Sequence, residues 1–371
     1  MTRGAQSYQQ GRRAWLAFAA LGLGLAVLPF ALGMGLGLGT YWVRVLDFTL
    51  LYILLAVGLN IVVGYAGLLD LGYIAFYAVG AYLYALLASP QFGLHLPLWA
   101  LLPLGAAVAG LFGLVLGAPT LRLRGDYLAI VTLGFGEIIR IFLNNLDKLT
   151  NGPQGVTLID PAKIGGFSFS QSHEIFGVVI AGAYSYYYLF LALALLVIFI
   201  SLRLQHSRIG RAWVAIREDE VAAEAMGINM RNIKLLAFAM GASFGGISGG
   251  LFASFQGFVS PESFNLFESI IVLCMVVLGG MGNIPGVILG AVLLSILPEA
   301  LRYVGDLQQV LIGRIIVDPS DLRMLLFGLA LILVMIFRPA GLLPSARRRR
   351  EFGAEPGVLA QEQASFYDAH K

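Results

Sequence analysis

The sequence predicts an all-α polytopic membrane protein with about ten transmembrane helices. Hydrophobic residues make up 58% of the 371 residues and charged residues only 12%, whereas soluble domains carry about 25% charged residues. Mean hydropathy is +0.83. The 46 glycines follow no collagen period, and they fit helices that pack closely in lipid because small residues let helix backbones approach. These observations exclude a soluble fold.

Ten apolar runs have spanning length, which for a helix is about 20 residues. The first run is longer than the roughly 7–15 residues of a signal-peptide core, so it is predicted to be a retained helix. Glycines within the runs allow for broken or re-entrant helices. The runs lie at about 14–38, 41–63, 66–89, 97–119, 127–146, 183–204, 235–258, 266–281, 286–303 and 322–337.

The distribution of basic residues predicts the orientation in the membrane. If the N-terminus is cytoplasmic, 17 of the 24 Lys and Arg residues fall on the cytoplasmic side, as the positive-inside rule requires. An even number of spans then puts both termini in the cytoplasm. The predicted parts are a cytoplasmic segment 1–13, a transmembrane domain 14–345 and a polar, disordered cytoplasmic tail 346–371. Arg347 to Arg350 are expected to contact lipid headgroups.

Two connections are longer than a turn requires. Residues 147–182, predicted to be external, contain Gly165-Gly166 and other turn signals, and this loop is expected to dock an external partner. Residues 205–234, predicted to be cytoplasmic, form the one substantial stretch that combines mixed charge with helical character.

The cytoplasmic connection contains a predicted short helix. Asp219 can cap it, because a carboxylate accepts hydrogen bonds from the first free amide groups. Alanines at 222, 223 and 225 keep the helix slim, and Gly227 can end it with a positive φ, followed by the apolar Ile228. The pattern predicts a helix lying across the membrane face, thin enough to enter a groove on a partner. A solvated loop helix is the alternative.

This stretch resembles the coupling loop of ABC importer permeases, in particular the LivM-type permeases of branched-chain amino acid uptake systems. Further blocks resemble the same family: 60–67 with Gly72, Gly80 and Ala81, then 132–140 with Asn144 and Asn145, then 256–264, 278–282 and 338–343. The general importer signature reads Glu-Ala-Ala-x-x-x-Gly, whereas Val221 precedes Ala222-Ala223 here. Acidic residues are present at Glu220 and Glu224, and the sequence leaves open which of the two faces the partner.

The resemblance implies the membrane-spanning subunit of an ATP-driven importer in the bacterial inner membrane. It implies a second, LivH-type permease, two ATP-binding cassette subunits that hold ATP and Mg²⁺, and an external substrate-binding protein. The residues expected to couple to the ATPases are Arg211, Arg217, Glu218, Asp219, Glu220, Ala222, Ala223, Glu224 and Gly227.

No cofactor, metal, nucleic acid or catalytic residue is expected for this chain. None of its four lysines lies in a Gly-Lys-Ser/Thr phosphate loop, so ATP hydrolysis is expected on the partner subunits. The four histidines have no metal-ligand spacing, and Cys274 is the single cysteine.

Polar residues inside the apolar runs are candidates for the substrate pathway, since charges in a bilayer are costly unless they are paired or face a polar cavity. Glu137 and Arg140 lie one turn apart near mid-bilayer. They are interpreted either as a structural ion pair or as contacts to a zwitterionic amino acid. The further candidates are Asn60, Asp70, Asn144 and Glu268.

Three other functions stand as alternatives to an amino acid importer. Urea or short-chain amide importers share the family architecture, so the substrate stays open between these and branched-chain or other neutral amino acids. An ion-coupled secondary transporter would explain a weak glycine echo between 64–67 and 279–282, but not the 205–234 segment. A membrane enzyme would need a nucleophile and base or a metal cluster, which the sequence lacks.

Overall fold

The structure is a computed structural model that describes residues 22, 24–35, 39–120, 123, 125–175 and 178–312. Isolated positions farther on are also described, namely 325, 328–329, 332–333, 336–338 and 341–344. The predicted segment 1–13, most of the last run 322–337 and the tail 346–371 lie outside the described residues.

The described elements are helices with two small hairpins. The first helical segment, α1, covers 24–35 and ends in a π-helix, Ala31–Gly35. The other helices are α2 Gly39–Leu59, continued by a π-helix Asn60–Tyr65, α3 Ile74–Leu87, α4 Leu98–Thr120, α5 Asp126–Asn145, α6 Asp147–Thr150, α7 Gly182–Gln205, α8 Arg208–Glu218, α9 Glu220–Ala225, α10 Met230–Gln256, α11 Leu266–Gly279 and α12 Ile284–Ile312. Two 3₁₀ turns lie at Gly152–Gln154 and Pro261–Phe264.

Five of the described helices are each long and apolar enough to cross a membrane. They are Gly39–Tyr65, Leu98–Thr120, Gly182–Gln205, Met230–Gln256 and the Ile284–Tyr303 part of α12. The prediction of a mostly helical multi-pass membrane protein is therefore confirmed, while the count of ten spans stays a prediction.

One predicted span, 66–89, is interrupted. Helix α3 begins only at Ile74, and residues 66–73 are non-helical. Gly67 has a φ of +70°, and the buried Asp70 side chain accepts a hydrogen bond from the Gly72 amide at 2.9 Å. A short side chain that bonds its own backbone in this way competes with helix formation. Hydropathy alone could not separate this buried loop from the helix that follows it.

Two units of the bundle have matching element lengths and run in opposite directions, and we call them the inverted repeat. Gly39–Tyr65 spans 27 residues and is followed by the loop 66–73 and the 14-residue α3; Met230–Gln256 also spans 27 residues and is followed by the loop 257–265 and the 14-residue α11. The two long helices run antiparallel, since Gly58 near the end of α2 packs against Gly241 in the middle of α10, while Phe48 nearer the start of α2 contacts Phe255 at the end of α10. Inverted repeats with interrupted helices are typical of transporters.

Helix α10 is the central packing element, crossing both α3 and α4. A Cβ atom on Gly246 would lie 2.5 Å from the Gly105 carbonyl oxygen and 2.6 Å from the Ala109 Cβ. A Cβ atom on Gly80 of α3 would lie only 2.1 Å from the Gly246 carbonyl oxygen. Small residues at these positions allow the helix backbones to approach closely. The glycines of this helix at 241, 245, 246, 249 and 250 therefore pack within the chain.

The loop 147–182 is folded against one end of the bundle. It contains two antiparallel hairpins, β1 Lys163–Ile164 with β2 Phe167–Ser168 and β3 His173–Ile175 with β4 Val178–Ile180, which the all-α prediction missed. The Asp160 amide donates to the Ala88 carbonyl at 2.7 Å. We call this end of the bundle the loop face and the end that carries residues 205–229 the α8–α9 face.

The close crossing at Gly246 predicts an unequal response to one added methyl group. We expect Gly246→Ala to lower the thermal unfolding midpoint of the purified protein, because overpacking costs about 1–3 kcal/mol. Gly134→Ala in α5 is the matched control, since nothing lies within 4 Å of its added Cβ. An unchanged or raised midpoint for Gly246→Ala would contradict the packing.

Candidate functional site

The two interrupted units meet inside the bundle. The Ser269 hydroxyl in α11 donates to the Leu71 carbonyl at 2.6 Å, and the Leu71 amide donates to the Thr132 hydroxyl of α5 at 3.0 Å. The loop that precedes α3 is thus held by the first turn of α11 and by α5. Asp70 in this loop is fully buried and bonds the Gly72 amide. The contact places the starts of both short helices beside each other.

Glu137 lies where α5 faces this junction. Together with Leu71, Ile74, Phe264 and Leu266 it lines a small gap between the short helices. Its carboxylate accepts two hydrogen bonds of 3.1 Å from Arg140 Nε and one of 2.5 Å from Arg140 Nη2.

Arg140 Nη1 also lies 3.6 Å from the carboxylate of Glu262. The guanidinium is therefore shared by two acids, one on α5 and one on the loop before α11. This arrangement is the ion pair of the structural interpretation, and a contact of Glu137 or Arg140 to substrate stays a prediction.

Glu268 opens onto a cavity of about 250 Å³. The Tyr52 hydroxyl of α2 donates to Glu268 Oε2 at 3.0 Å. Ser263 is the other polar residue of the lining, and the remaining walls are the aromatic and aliphatic side chains of Phe48, Leu51, Leu55, Ile74, Tyr77 and Phe252. The cavity thus combines one carboxylate with a mostly apolar wall.

Asn60 and Asn144 lie away from this cavity. Asn60 begins the π-helix at the end of α2, and its side-chain oxygen accepts a hydrogen bond from the Gly282 amide at 2.8 Å. Asn144 is at the C-terminal end of α5, next to the loop face. Its buried side-chain oxygen has no hydrogen-bond partner among the described residues. The structure therefore brings Asp70, Glu137 and Glu268 close to the junction and separates the two asparagines from it.

The two glycine turns of the sequence echo touch each other. A Cβ on Gly64 would lie 2.6 Å from the Gly282 amide nitrogen. The end of the π-helix that continues α2, which together with residues 66–67 we call the turn after α2, is therefore in contact with the turn between α11 and α12. The structural repeat pairs α2 and α3 with α10 and α11. The two echoed glycine segments are not equivalent in this repeat, because 64–67 lies between α2 and α3 whereas 279–282 lies at the end of α11. The echoed glycines are alike because each turn must allow the other to approach closely.

Arg217 joins the α8–α9 face to both glycine turns. Its Nη1 donates to the Gly64 carbonyl at 2.5 Å. A Cβ on Gly67 would lie 2.7 Å from Arg217 Cγ, and one on Gly282 would lie 3.2 Å from Arg217 Nη1. The side chain therefore points into the bundle rather than towards the surface.

The short helix α9 has both predicted ends. Asp219 Oδ1 accepts hydrogen bonds from the Val221 and Ala222 amides at 2.8 and 3.0 Å. At the other end Gly227 has a φ of +84°. Its amide donates to the Glu224 carbonyl at 2.9 Å, and the Ile228 amide donates to the Ala223 carbonyl at 3.1 Å. This is the Schellman arrangement that glycine at this position favours.

Helices α8 and α9 are anchored to α10. Trp213 of α8 is fully buried, and its indole nitrogen donates to the Ile233 carbonyl at 2.7 Å. The buried Lys234 ammonium lies 2.6 Å from the Glu220 carboxylate. The buried aromatic ring and the partly buried ion pair thus fix α8 and α9 against α10.

The comparisons with known proteins agree with this architecture. Residues 41–335 match the family of the branched-chain amino acid transport system permease component. The chain belongs to this permease family. It is 44% identical over 334 residues to the Escherichia coli K12 permease protein LivM, which covers 87% of this chain and 74% of LivM.

Two other relatives are more distant. The Pseudomonas aeruginosa permease protein BraD is 30% identical over 299 residues, 79% of this chain and 91% of BraD. The Salmonella typhimurium permease protein LivH is 27% identical over 255 residues, 67% of this chain and 81% of LivH. No solved structure matches.

The geometry divides the predicted coupling residues of the permease into an inward and an outward group. Ala223 is 3% exposed, Arg217 points inwards and Glu220 pairs with Lys234. The exposed members are Arg211, Glu218, Asp219, Ala222, Glu224 and Gly227. Of the two acids that flank the alanine pair, Glu224 is the one that lies at the surface.

Sequence reasoning missed two groups of residues. Val221 on α9 and Met226, which directly follows α9, are 70% and 84% exposed. Exposed apolar residues within a charged stretch are the signal that could have identified them. Thr132 and Ser269 hold the interruption at Leu71. Hydroxyl groups inside apolar runs are the matching signal, because they satisfy backbone groups that a broken helix leaves open.

The Arg217 contact predicts a local change on truncation. Arg217→Ala is expected to speed amide hydrogen exchange in peptides covering 60–67 and 279–283 by about tenfold or more, because a hydrogen bond to a charged group contributes about 1.5–3 kcal/mol. Arg211→Ala is the control, since that side chain bonds the His206 carbonyl at the surface. Equal exchange in both variants would show that Arg217 does not hold the turns.

Proposed function

We propose that this chain is the membrane-spanning subunit of an ATP-driven importer of branched-chain amino acids. The observation that carries the proposal is the link from an exposed helix to the interior of the bundle. Val221 on α9 and Met226 directly after it are exposed to solvent, and α8 and α9 are fixed to α10 through Trp213 and Lys234. Arg217, near the end of α8, bonds the Gly64 carbonyl after α2. A push on α9 is thereby transmitted to both interrupted units.

The proposed partners follow the family. Two ATP-binding cassette subunits would bind ATP and Mg²⁺ and would receive α9 in a groove, so that closure of the ATPase dimer moves α8 and α9 as a lever. A LivH-type permease would supply the other half of the pathway, and an external binding protein would deliver substrate at the loop face. This chain would bind no cofactor itself.

The proposed topology has ten spans in the bacterial inner membrane with both termini in the cytoplasm. Arg203, Arg208, Arg211 and Arg231 lie in or beside the 205–234 connection, so the positive-inside rule assigns the α8–α9 face to the cytoplasm. Lys148 and Lys163 are the basic residues of the opposite loop. The interrupted units then lie between the two faces, where alternating access requires a movable pathway.

Branched-chain or other neutral amino acids are the proposed substrate class, because the related LivM and BraD proteins carry that activity in their names. Urea or short-chain amides are the alternative within the same architecture. An ion-coupled secondary transporter leaves the anchored α8–α9 segment without a role.

Uptake by the reconstituted complex tests the function. The chain is assembled in proteoliposomes with its LivH-type partner, the ATPases and the binding protein, and labelled leucine, glutamate and urea are offered with and without ATP. We expect leucine uptake that requires both ATP and the binding protein. Uptake of urea alone, or leucine uptake that needs an ion gradient instead of ATP, would contradict the proposal.

The exposed apolar residue directly after α9, Met226, gives a second test. Met226→Glu is expected to lower leucine uptake by at least about tenfold, since buried apolar anchors dominate interface energies, while the complex of the two permeases still forms. Arg208→Glu is the control: it is exposed in the first turn of α8, where a negative charge is tolerated. Full uptake by Met226→Glu would show that α9 is not part of the ATPase interface.

A further inference from the structure

We propose that the cavity beside Glu268 is the transit site for the amino acid, with the substrate ammonium group facing the Glu268 carboxylate and its side chain against the apolar wall. The inference rests on the proposed importer function and specifies where within this chain the substrate is held. We call the cavity the Glu268 cavity.

The size of the Glu268 cavity suits a small ligand. Its volume is about 250 Å³, whereas drug-sized ligands occupy pockets of about 300–1,000 Å³. Pockets for small molecules are mostly apolar with a few polar groups that fix the orientation. Phe48, Leu51, Leu55 and Phe252 supply the apolar surface, and Glu268 with Tyr52 supplies the polar end.

The polar end favours a cation. Glu268 is in the first turn of α11, and Tyr52 already donates a hydrogen bond to one of its oxygens, which fixes the carboxylate at the cavity wall. A carboxylate accepts charge-assisted hydrogen bonds from an ammonium group, and these are stronger than bonds between neutral groups. Urea lacks the cationic group, and the second carboxylate of glutamate would be repelled.

The position of the cavity connects it to the moving parts. Its lining comes from α2, from Ile74 and Tyr77 at the start of α3, from α10, and from Ser263 and Glu268 on either side of the start of α11. Both units of the inverted repeat therefore contribute walls. Any shift of one unit against the other changes the shape of the cavity, as a pathway that alternates between two faces requires.

Photolabelling and uptake together test the proposal in the full complex. Photo-leucine, an amino acid with a diazirine side chain, is activated on the wild-type complex, and the labelled peptides are mapped. We expect label on Phe48, Tyr52 or Phe252 that excess leucine suppresses and excess urea does not. Label elsewhere in a complex that transports leucine would overturn the cavity assignment and leave the proposed function intact.

Charge removal supplies the second measurement. Glu268→Gln keeps the shape of the side chain, and we expect leucine uptake and photolabelling to fall at least about tenfold while the complex assembles. Glu299→Gln is the matched control, because Glu299 accepts a hydrogen bond from Tyr41, another tyrosine of α2, outside the cavity. Wild-type uptake by Glu268→Gln would overturn the proposal. A wild-type complex that does not transport leucine would overturn the importer function itself.

Discussion

The fold depends on pairing the backbone groups that two interrupted helices leave open inside a membrane. In hydrocarbon an unpaired amide or carbonyl costs several kcal/mol, so irregular backbone persists only where protein groups satisfy it. At the loop before α3 this is done by Ser269 for the Leu71 carbonyl, by Thr132 for the Leu71 amide and by Asp70 for the Gly72 amide. The first two bonds tie the break to α11 and α5, and the third closes the loop on itself, so the interruption holds α3, α5 and α11 together.

The same constraint explains why the α8–α9 segment reaches the pathway. The turn after α2 ends a helix and leaves carbonyls to satisfy, and Arg217 bonds one of them at Gly64. Asn60 serves the neighbouring turn by accepting from the Gly282 amide. A side chain of an exposed segment thus completes the interior structure. Displacing α8 would leave the Gly64 carbonyl without its hydrogen bond in a buried turn. The position of this segment therefore affects the free energy of both repeat units.

The sequence predicted those features whose causes are local. The cap at Asp219 and the end at Gly227 depend on neighbours within a few residues, and the structure has both. The long apolar helices follow from composition in the same way. The contact of Leu71 with Ser269 joins residues 198 positions apart, and nothing nearby in the chain indicates it. The inward direction of Arg217 and the burial of Ala223 are also set by packing of α8 and α9 on α10, which places Trp213 inside. Sequence reasoning therefore found the segment but could not say which of its residues face the partner.

The central claim is that α9 engages an ATPase subunit at the cytoplasmic face and drives the pathway from outside this chain. Site-directed photocross-linking tests it most directly, with a benzophenone attached at Met226→Cys in the assembled complex, since the native Cys274 is buried. The reference is Leu158→Cys, which is 76% exposed at the loop face before substitution. We expect capture of an ATP-binding subunit from position 226 and none from position 158. Capture of an ATP-binding subunit from position 158, or no capture of one from position 226, would contradict the claim.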